Sequence, residues 1–252
     1  MSRRLAPPLF AMLLLAMLLP ACGRRHPKPD PVDQHLNEMR RAVQKDNPEK
    51  AIEAIDAAIA QRPTDEELSL IKARLLFDFA RYTDAADVAA KAAELAEETQ
   101  ARARNDARRA RNIEDPDEQD DARKQAMREH GDARVREAHA RFTRAAALRS
   151  DGRNDEADVA FARAMEAFDR LTQQPPGEDE AEKARAELSA MLHKATIQRL
   201  RGHREAAAFE IRKIAAKFDT WEGEDFWIEL LRSDDAERRL YDAMVPGVTG
   251  DQ

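Results

Sequence analysis

Ala51 and Ala85 stand 34 residues apart, and the same order of small and apolar side chains recurs around each. Two helices approach to about 8–10 Å only where small side chains sit at the crossing, so a recurring small residue marks a recurring crossing. Apolar residues follow helical spacing throughout the chain after residue 32. No alternating Val/Ile/Thr run bounded by turn residues interrupts it, and glycine totals only 8 in 252 residues. The pattern predicts an all-α chain built of helical hairpins. Charged residues at 36% and aromatics at 5% fit long solvated helices better than one wide core.

Asn47 to Pro63 (Asn-Pro-Glu-Lys-Ala-Ile-Glu-Ala-Ile-Asp-Ala-Ala-Ile-Ala-Gln-Arg-Pro) is similar to the second helix of a tetratricopeptide repeat, with Ala51, Ile55, Ala58 and Pro63 at that family's offsets. The 34-residue step to Ala85 is the family's period. Tyr82 supplies the aromatic residue of the next turn, Ala73 the close-packing position of a first helix, and Ala92 a further small residue in the second. Two later segments carry a similar turn with glycine. Gly152 lies five residues before Ala157, ahead of Phe161, Ala164 and Phe168 on one face. Gly202 lies five before Ala207, ahead of Ile211, Ile214 and Phe218. Ala145 and Ala195 take the upstream packing positions, and a glycine suits a helix end that needs positive φ. Four hairpins are expected, near 33–63, 65–93, 135–173 and 180–219. The resemblance implies a tetratricopeptide-like solenoid, with repeats one and two in 33–93 and repeats three and four in 138–219.

Between them, residues 94–137 hold almost no large apolar side chains. Ala96, Ala103, Ala107 and Ala110 suggest a thin alanine seam, with a Glu98–Arg102 ion pair one turn apart. Asp115-Pro116 breaks the helix, and Asp117 to Asp121 can cap the next one. This predicts a charged antiparallel extension, with helices near 83–113 and 117–149; a degenerate, partly disordered repeat is the alternative. The last segment, 220–252, carries Trp221, Phe226, Trp227 and Tyr241 with Leu230, Leu231 and Leu240. Such residues suit helices that cover the exposed end of a helical array, or a partner-binding patch, ahead of a frayed tail from Pro246.

The start of the chain reads as an export signal. Arg3 and Arg4 precede an uncharged apolar run, Leu9 to Leu19, which is short of the roughly 20 residues a spanning helix needs. Leu19-Pro20-Ala21-Cys22 resembles the lipobox of bacterial lipoproteins, with Leu at −3 and a small residue at −1, although Pro20 departs from the family's Ala, Ser, Thr or Val. The resemblance implies removal of a signal peptide, 1–21, and lipidation of Cys22. Cys22 is the one cysteine, so no intrachain disulfide can form. Gly23, where the family has Asp for inner-membrane retention, implies the outer membrane, on its periplasmic face. The proline-rich stretch to residue 32, with Pro27, Pro29 and Pro31, reads as an extended tether from the lipid to the folded part.

Removing 1–21 takes only Arg3 and Arg4 from the 42 basic residues, leaving 40 against 49 acidic, a net charge of −9. Nucleic acid is therefore not an expected partner. The six histidines (26, 35, 130, 139, 193 and 203) show no pair four residues apart, and there is no phosphate loop or nucleophile elbow. Asp115 to Asp121 lacks the central glycine and bidentate Glu of an EF-hand loop. No catalytic centre, metal or cofactor is expected. What the repeat resemblance implies instead is a groove, formed by the first helix of each hairpin, that holds segments of other cell-envelope proteins. By matching positions Leu36, Arg40, Leu70, Arg74, Phe77, Phe142, Arg149, Leu192, Thr196 and Arg199 would face it; each apolar member is equally compatible with a place in the core. The Lys/Asn carboxylate clamp of some family members is absent. Two alternatives stay open: a structural coiled-coil spacer that self-associates through 94–137, and an accessory lipoprotein that carries a small ligand in a closed apolar pocket.

Overall fold

In the computed structural model, residues 30–218 and 227–228 are described, and all regular structure among them is α-helical. Eight helices follow in order: α1 (Pro31–Gln44), α2 (Pro48–Gln61), α3 (Glu66–Asp78), α4 (Tyr82–Ala110), α5 (Pro116–Ser150), α6 (Asn154–Gln173), α7 (Glu180–Leu200) and α8 (Arg204–Lys217). Each packs mainly on its neighbours in sequence, with a further contact between α3 and α5. None is long and apolar enough to cross a membrane. Cys22 and the segment before it lie outside the described residues.

Local chemistry sets several helix starts. The Asn47 side chain accepts from the N–H of Lys50, with Pro48 in the first turn, and Asp65 accepts from Glu67 and Leu68. Asp115 accepts from Asp117 and Glu118 at the start of α5. The cap therefore sits ahead of the Asp117–Asp121 run expected to supply it. Asp115 precedes Pro116, is held extended (φ −78°, ψ 120°), and so aims its carboxylate at the first free N–H groups.

The helices pair through one turn used four times. Asp46, Ala80, Gly152 and Gly202 adopt φ of 50°, 57°, 79° and 84°. The next residue in each case (Asn47, Arg81, Arg153, His203) donates its N–H to the carbonyl of Ala42, Leu76, Leu148 or Gln198, at 2.8–3.0 Å. That is the 6→1 closure of a helix ended by a left-handed residue. Five residues after each left-handed position lies the first of three fully buried residues of the second helix: Ala51, Ile55, Ala58; Ala85, Ala89, Ala92; Ala157, Phe161, Ala164; Ala207, Ile211, Ile214. Met39, Ala73, Ala145 and Ala195 are buried at the matching place in the first helix. The sequence announces the turn only where it holds glycine; Asp46 and Ala80 adopt the same turn because packing of the flanking helices outweighs the roughly 1–2 kcal/mol cost of an L-residue there.

The expected long pair is α4 and α5, of 29 and 35 residues, or about 44 and 53 Å at ~1.5 Å per residue. Both are continuous, so the divisions at 93/94 and 137/138 expected from composition fall inside helices. Ala89, Ala96, Ala103 and Ala110 on α4, and Ala126, Ala133, Ala140 and Ala147 on α5, are all buried. The spacing is seven in both rows, the repeat that keeps one face of a helix against its partner along a left-handed supercoil. Ala107, which breaks that spacing, is only half-buried and lies beside the seam instead of in it.

Two buried carboxylates fasten this pair to the rest. Glu66 of α3, 7% exposed, meets Arg136 of α5 at 2.9 Å and accepts from the Thr99 hydroxyl of α4 at 3.3 Å. Glu137 of α5, 4% exposed, meets Arg141 at 2.8 Å and Arg170 of α6 at 2.9 Å, and accepts from the Gln100 amide of α4 at 2.7 Å. Further along, the α6–α7 connection crosses α5 at Gly131, where a Cβ would come within 2.9 Å of the Pro176 Cβ. Arg134 donates to the carbonyls of Arg170 and Gln174 at the end of α6. At the far end, Trp227 packs on core residues of α7 and neighbouring helices, and Ile228 on the α7/α8 cluster. Trp221, Phe226 and Tyr241 lie outside the described residues.

Two outcomes are expected from these features. Ala80→Gly should raise stability by about 1 kcal/mol, and Gly152→Ala, which meets no atom within 4 Å and costs only backbone strain, should lower it by about as much; urea unfolding reads both. Glu137→Ala should cost about 3 kcal/mol, the low end for breaking a buried pair, since Arg170 can turn to water. A loss below about 0.5 kcal/mol would place Glu137 among ordinary surface charges.

Candidate functional site

The first helices of the last three hairpins, α3, α5 and α7, meet around two histidines. His139 of α5 and His193 of α7 lie edge to face, with ring centroids 4.6 Å apart. Phe168 of α6 stacks on His193 at 4.5 Å and presents its edge to His139 at 5.9 Å. Phe142 closes the other side, 5.4 Å from His193. From α3, Nη2 of Arg74 reaches Nδ1 of His139 at 3.4 Å. His193 is buried, and its Nδ1–H donates to the Ser189 carbonyl at 2.8 Å. A guanidinium only donates, so Nδ1 of His139 must be the acceptor and its proton sits on Nε2. Burial, then His193, then Arg74 hold the His139 imidazole well below its usual pKa, so it is neutral at pH 7. Burial also lowers the Arg74 guanidinium, against the opposing pull of Asp78 and Glu67.

The ten residues expected to line a groove divide into three groups. Leu70, Phe142 and Thr196 are buried at 5%, 1% and 0% exposure, so they are core and offer no surface. Leu70 packs with Ala92, Ala93 and Ala140, and Phe142 packs against Phe161 as well as the histidine cluster. The physical reason is the close approach of the alanine-rich second helices, which covers the edge of the first helix as well as its inner face. Leu36, Phe77 and Leu192 are partly buried against core clusters, with Phe77 edge-on to Tyr82 at 5.4 Å. The four arginines reach the surface. Arg40 is exposed and bonds to Asn37; Arg149 pairs with Asp158 at 2.7 Å over the Phe161 ring; Arg74 and Arg199 are half-buried. The face is therefore richer in arginine than in apolar side chains.

A second feature is a cleft of about 540 Å³ where the α2–α3 turn meets α4 and α5, lined by Arg62, Asp65, Thr99, Arg102, Glu129 and Arg136 among others. Arg102 faces this cleft and forms no ion pair with Glu98. The cleft is open and charged with both signs, unlike the closed apolar site a small-ligand carrier needs. Among the described residues, no group of three His, Cys, Asp or Glu side chains is placed to hold a metal ion.

The histidine cluster was not legible from spacing, since 54 residues separate His139 from His193. The signal available was their register. Measured back from Ala157 and Ala207, the two histidines fall on first helices of adjacent hairpins, one helical turn apart.

No protein-family model matches the chain, and no curated protein is significantly similar to it.

Proposed function

We propose that the chain is a non-catalytic scaffold of the cell envelope, anchored by lipid on Cys22, whose tetratricopeptide-like hairpins hold segments of other proteins along the face formed by α1, α3, α5 and α7. The observation that carries this reading is the recurrence of one turn and one buried triplet in four hairpins, with the left-handed residue always five positions before the first small one. The step from Asp46 to Ala80 is 34 residues, as in the repeat family the sequence resembles. Hairpins related in this way place their first helices side by side, and the Arg74–His139–His193 contacts across α3, α5 and α7 agree with such an arrangement. Lipid attachment rests on the Leu19-Pro20-Ala21-Cys22 motif alone. The coiled-coil spacer draws no support from the alanine seam, because that seam is closed within the α4/α5 pair and leaves little of itself for a second chain.

A photo-crosslinking residue at 40, on the exposed side of α1, and another at 53, on α2, test this in cells making the full chain. The expected result is one discrete protein adduct from position 40, none from position 53, and its loss in Cys22→Ala together with a diacylglyceryl mass on the Cys22 peptide. Equal labelling from both positions, or an unmodified Cys22 in a chain still starting at Met1, would sink the reading.

A further inference from the structure

His139 is the point at which three hairpins touch, and the contact works in only one protonation state. Its Nδ1 accepts from Arg74 at 3.4 Å while its ring lies edge to face with His193, centroids 4.6 Å apart. We propose that His139 is an acid-sensing latch: a proton gained at Nδ1 turns the Arg74 contact from attraction to repulsion and weakens the hold of α5 on α3, loosening the first-helix face.

The geometry leaves the added proton no good place. Nδ1–H would point at an N–H of Arg74, donor against donor, and two cations would lie in contact. On another side stands Phe168, and Phe142 closes on His193 beyond; neither offers a carboxylate. The charged groups of the surrounding elements are already engaged. On α3, Glu67 and Asp78 act on Arg74. On α5, Glu137 is held by Arg141, Arg170 and Gln100, and Arg136 by Glu66. On α6, Asp169 meets Lys194 of α7 at 2.6 Å, and on α4, Glu97 meets Arg141 at 2.5 Å. His193 of α7 is itself a titratable neighbour and disfavours a second charge. Water still has a route, since His139 is not fully covered. The latch depends on this contact geometry and does not require the protein-binding role.

Its sign follows from linkage. The folded chain holds His139 well below the usual imidazole value of 6.5, so unfolded or opened states bind the proton first. Stability is complete above pH 6.5 and is lost as pH falls from there toward the folded value. While one proton is taken up per opening, the open population rises about tenfold per pH unit. His130, in the middle part of α5, is also held below its usual value, by burial first and then by Arg134 and Arg104, which is why its variant serves as the control.

Hydrogen exchange of the full chain between pH 7.5 and 5.0, corrected for the intrinsic pH dependence of amide exchange, tests the latch. Protection in α3, in residues 133–148 of α5 and in α7 should fall by up to about tenfold per pH unit below 6.5, while α1 and α2 change less. His139→Phe should flatten this response, and Arg74→Met should weaken it; His130→Phe should leave it in place. An undiminished response in His139→Phe, or none in the wild type, overturns the proposal. If His139→Phe does not fold, NMR of the wild-type imidazole decides: resistance to protonation well below pH 6.5 supports the latch, and ordinary titration near 6.5 overturns it.

Discussion

Alanine at the helix crossings is the constraint on which the rest of this structure depends. Every hairpin brings its two helices together at a fully buried small residue, and the long α4/α5 pair does so at eight alanines spaced by seven. An alanine contributes little area to the hydrophobic effect, but it lets two backbones approach to the close end of the roughly 8–10 Å range and gain dispersion along their whole length. The large fully buried side chains lie within the hairpins, Met39, Ile55, Leu75 and Leu76 in the first two and Phe142, Phe161, Phe168, Ile211 and Ile214 among those of the last two. Toward the tips of α4 and α5 the small residues carry the packing almost alone.

A thin core raises the importance of polar fastening. Glu66 and Glu137 would be expensive to bury alone, and each is matched by a guanidinium and a hydrogen-bond donor from other helices. Their placement at the base of the long pair fixes how α4 and α5 emerge from α3 and α6. The histidine cluster solves a related problem differently. There the polar groups are rings that stack and hydrogen-bond, with His193 donating to the Ser189 carbonyl and His139 accepting from Arg74.

Much of this was readable in the chain wherever the signal is local. Helix ends at 82, 110, 116 and 150 fall within three residues of those expected, because Asp-Pro and turn chemistry act within a few positions. The turns at Gly152 and Gly202 were legible for the same reason; those at Asp46 and Ala80 were not, since nothing in an ordinary L-residue announces a left-handed backbone. The alanine row is visible in the sequence but its period of seven is not, because Ala107 interrupts it from beside the seam. Nothing local marks Glu66, Glu137, His139 and His193 as interior groups, because the helices that cover them include partners tens of residues away. A charged side chain on an alanine-rich helix looks solvated until the neighbouring helix is in place. Of the expected groove, Leu70, Phe142 and Thr196 belong to the core, since the boundary between face and interior is set by how closely the second helix approaches.

The most direct test of the alanine account is the urea unfolding of Ala103→Leu, with Ala107→Leu as its neighbour outside the seam. Ala103 has 0% exposure, so the added side chain must force α4 from α5 and should cost about 1–3 kcal/mol, while Ala107→Leu changes stability by less than about 0.5 kcal/mol. If Ala103→Leu is as stable as the parent or more so, the seam has room for a larger side chain, and close approach through alanine is not what holds the pair together.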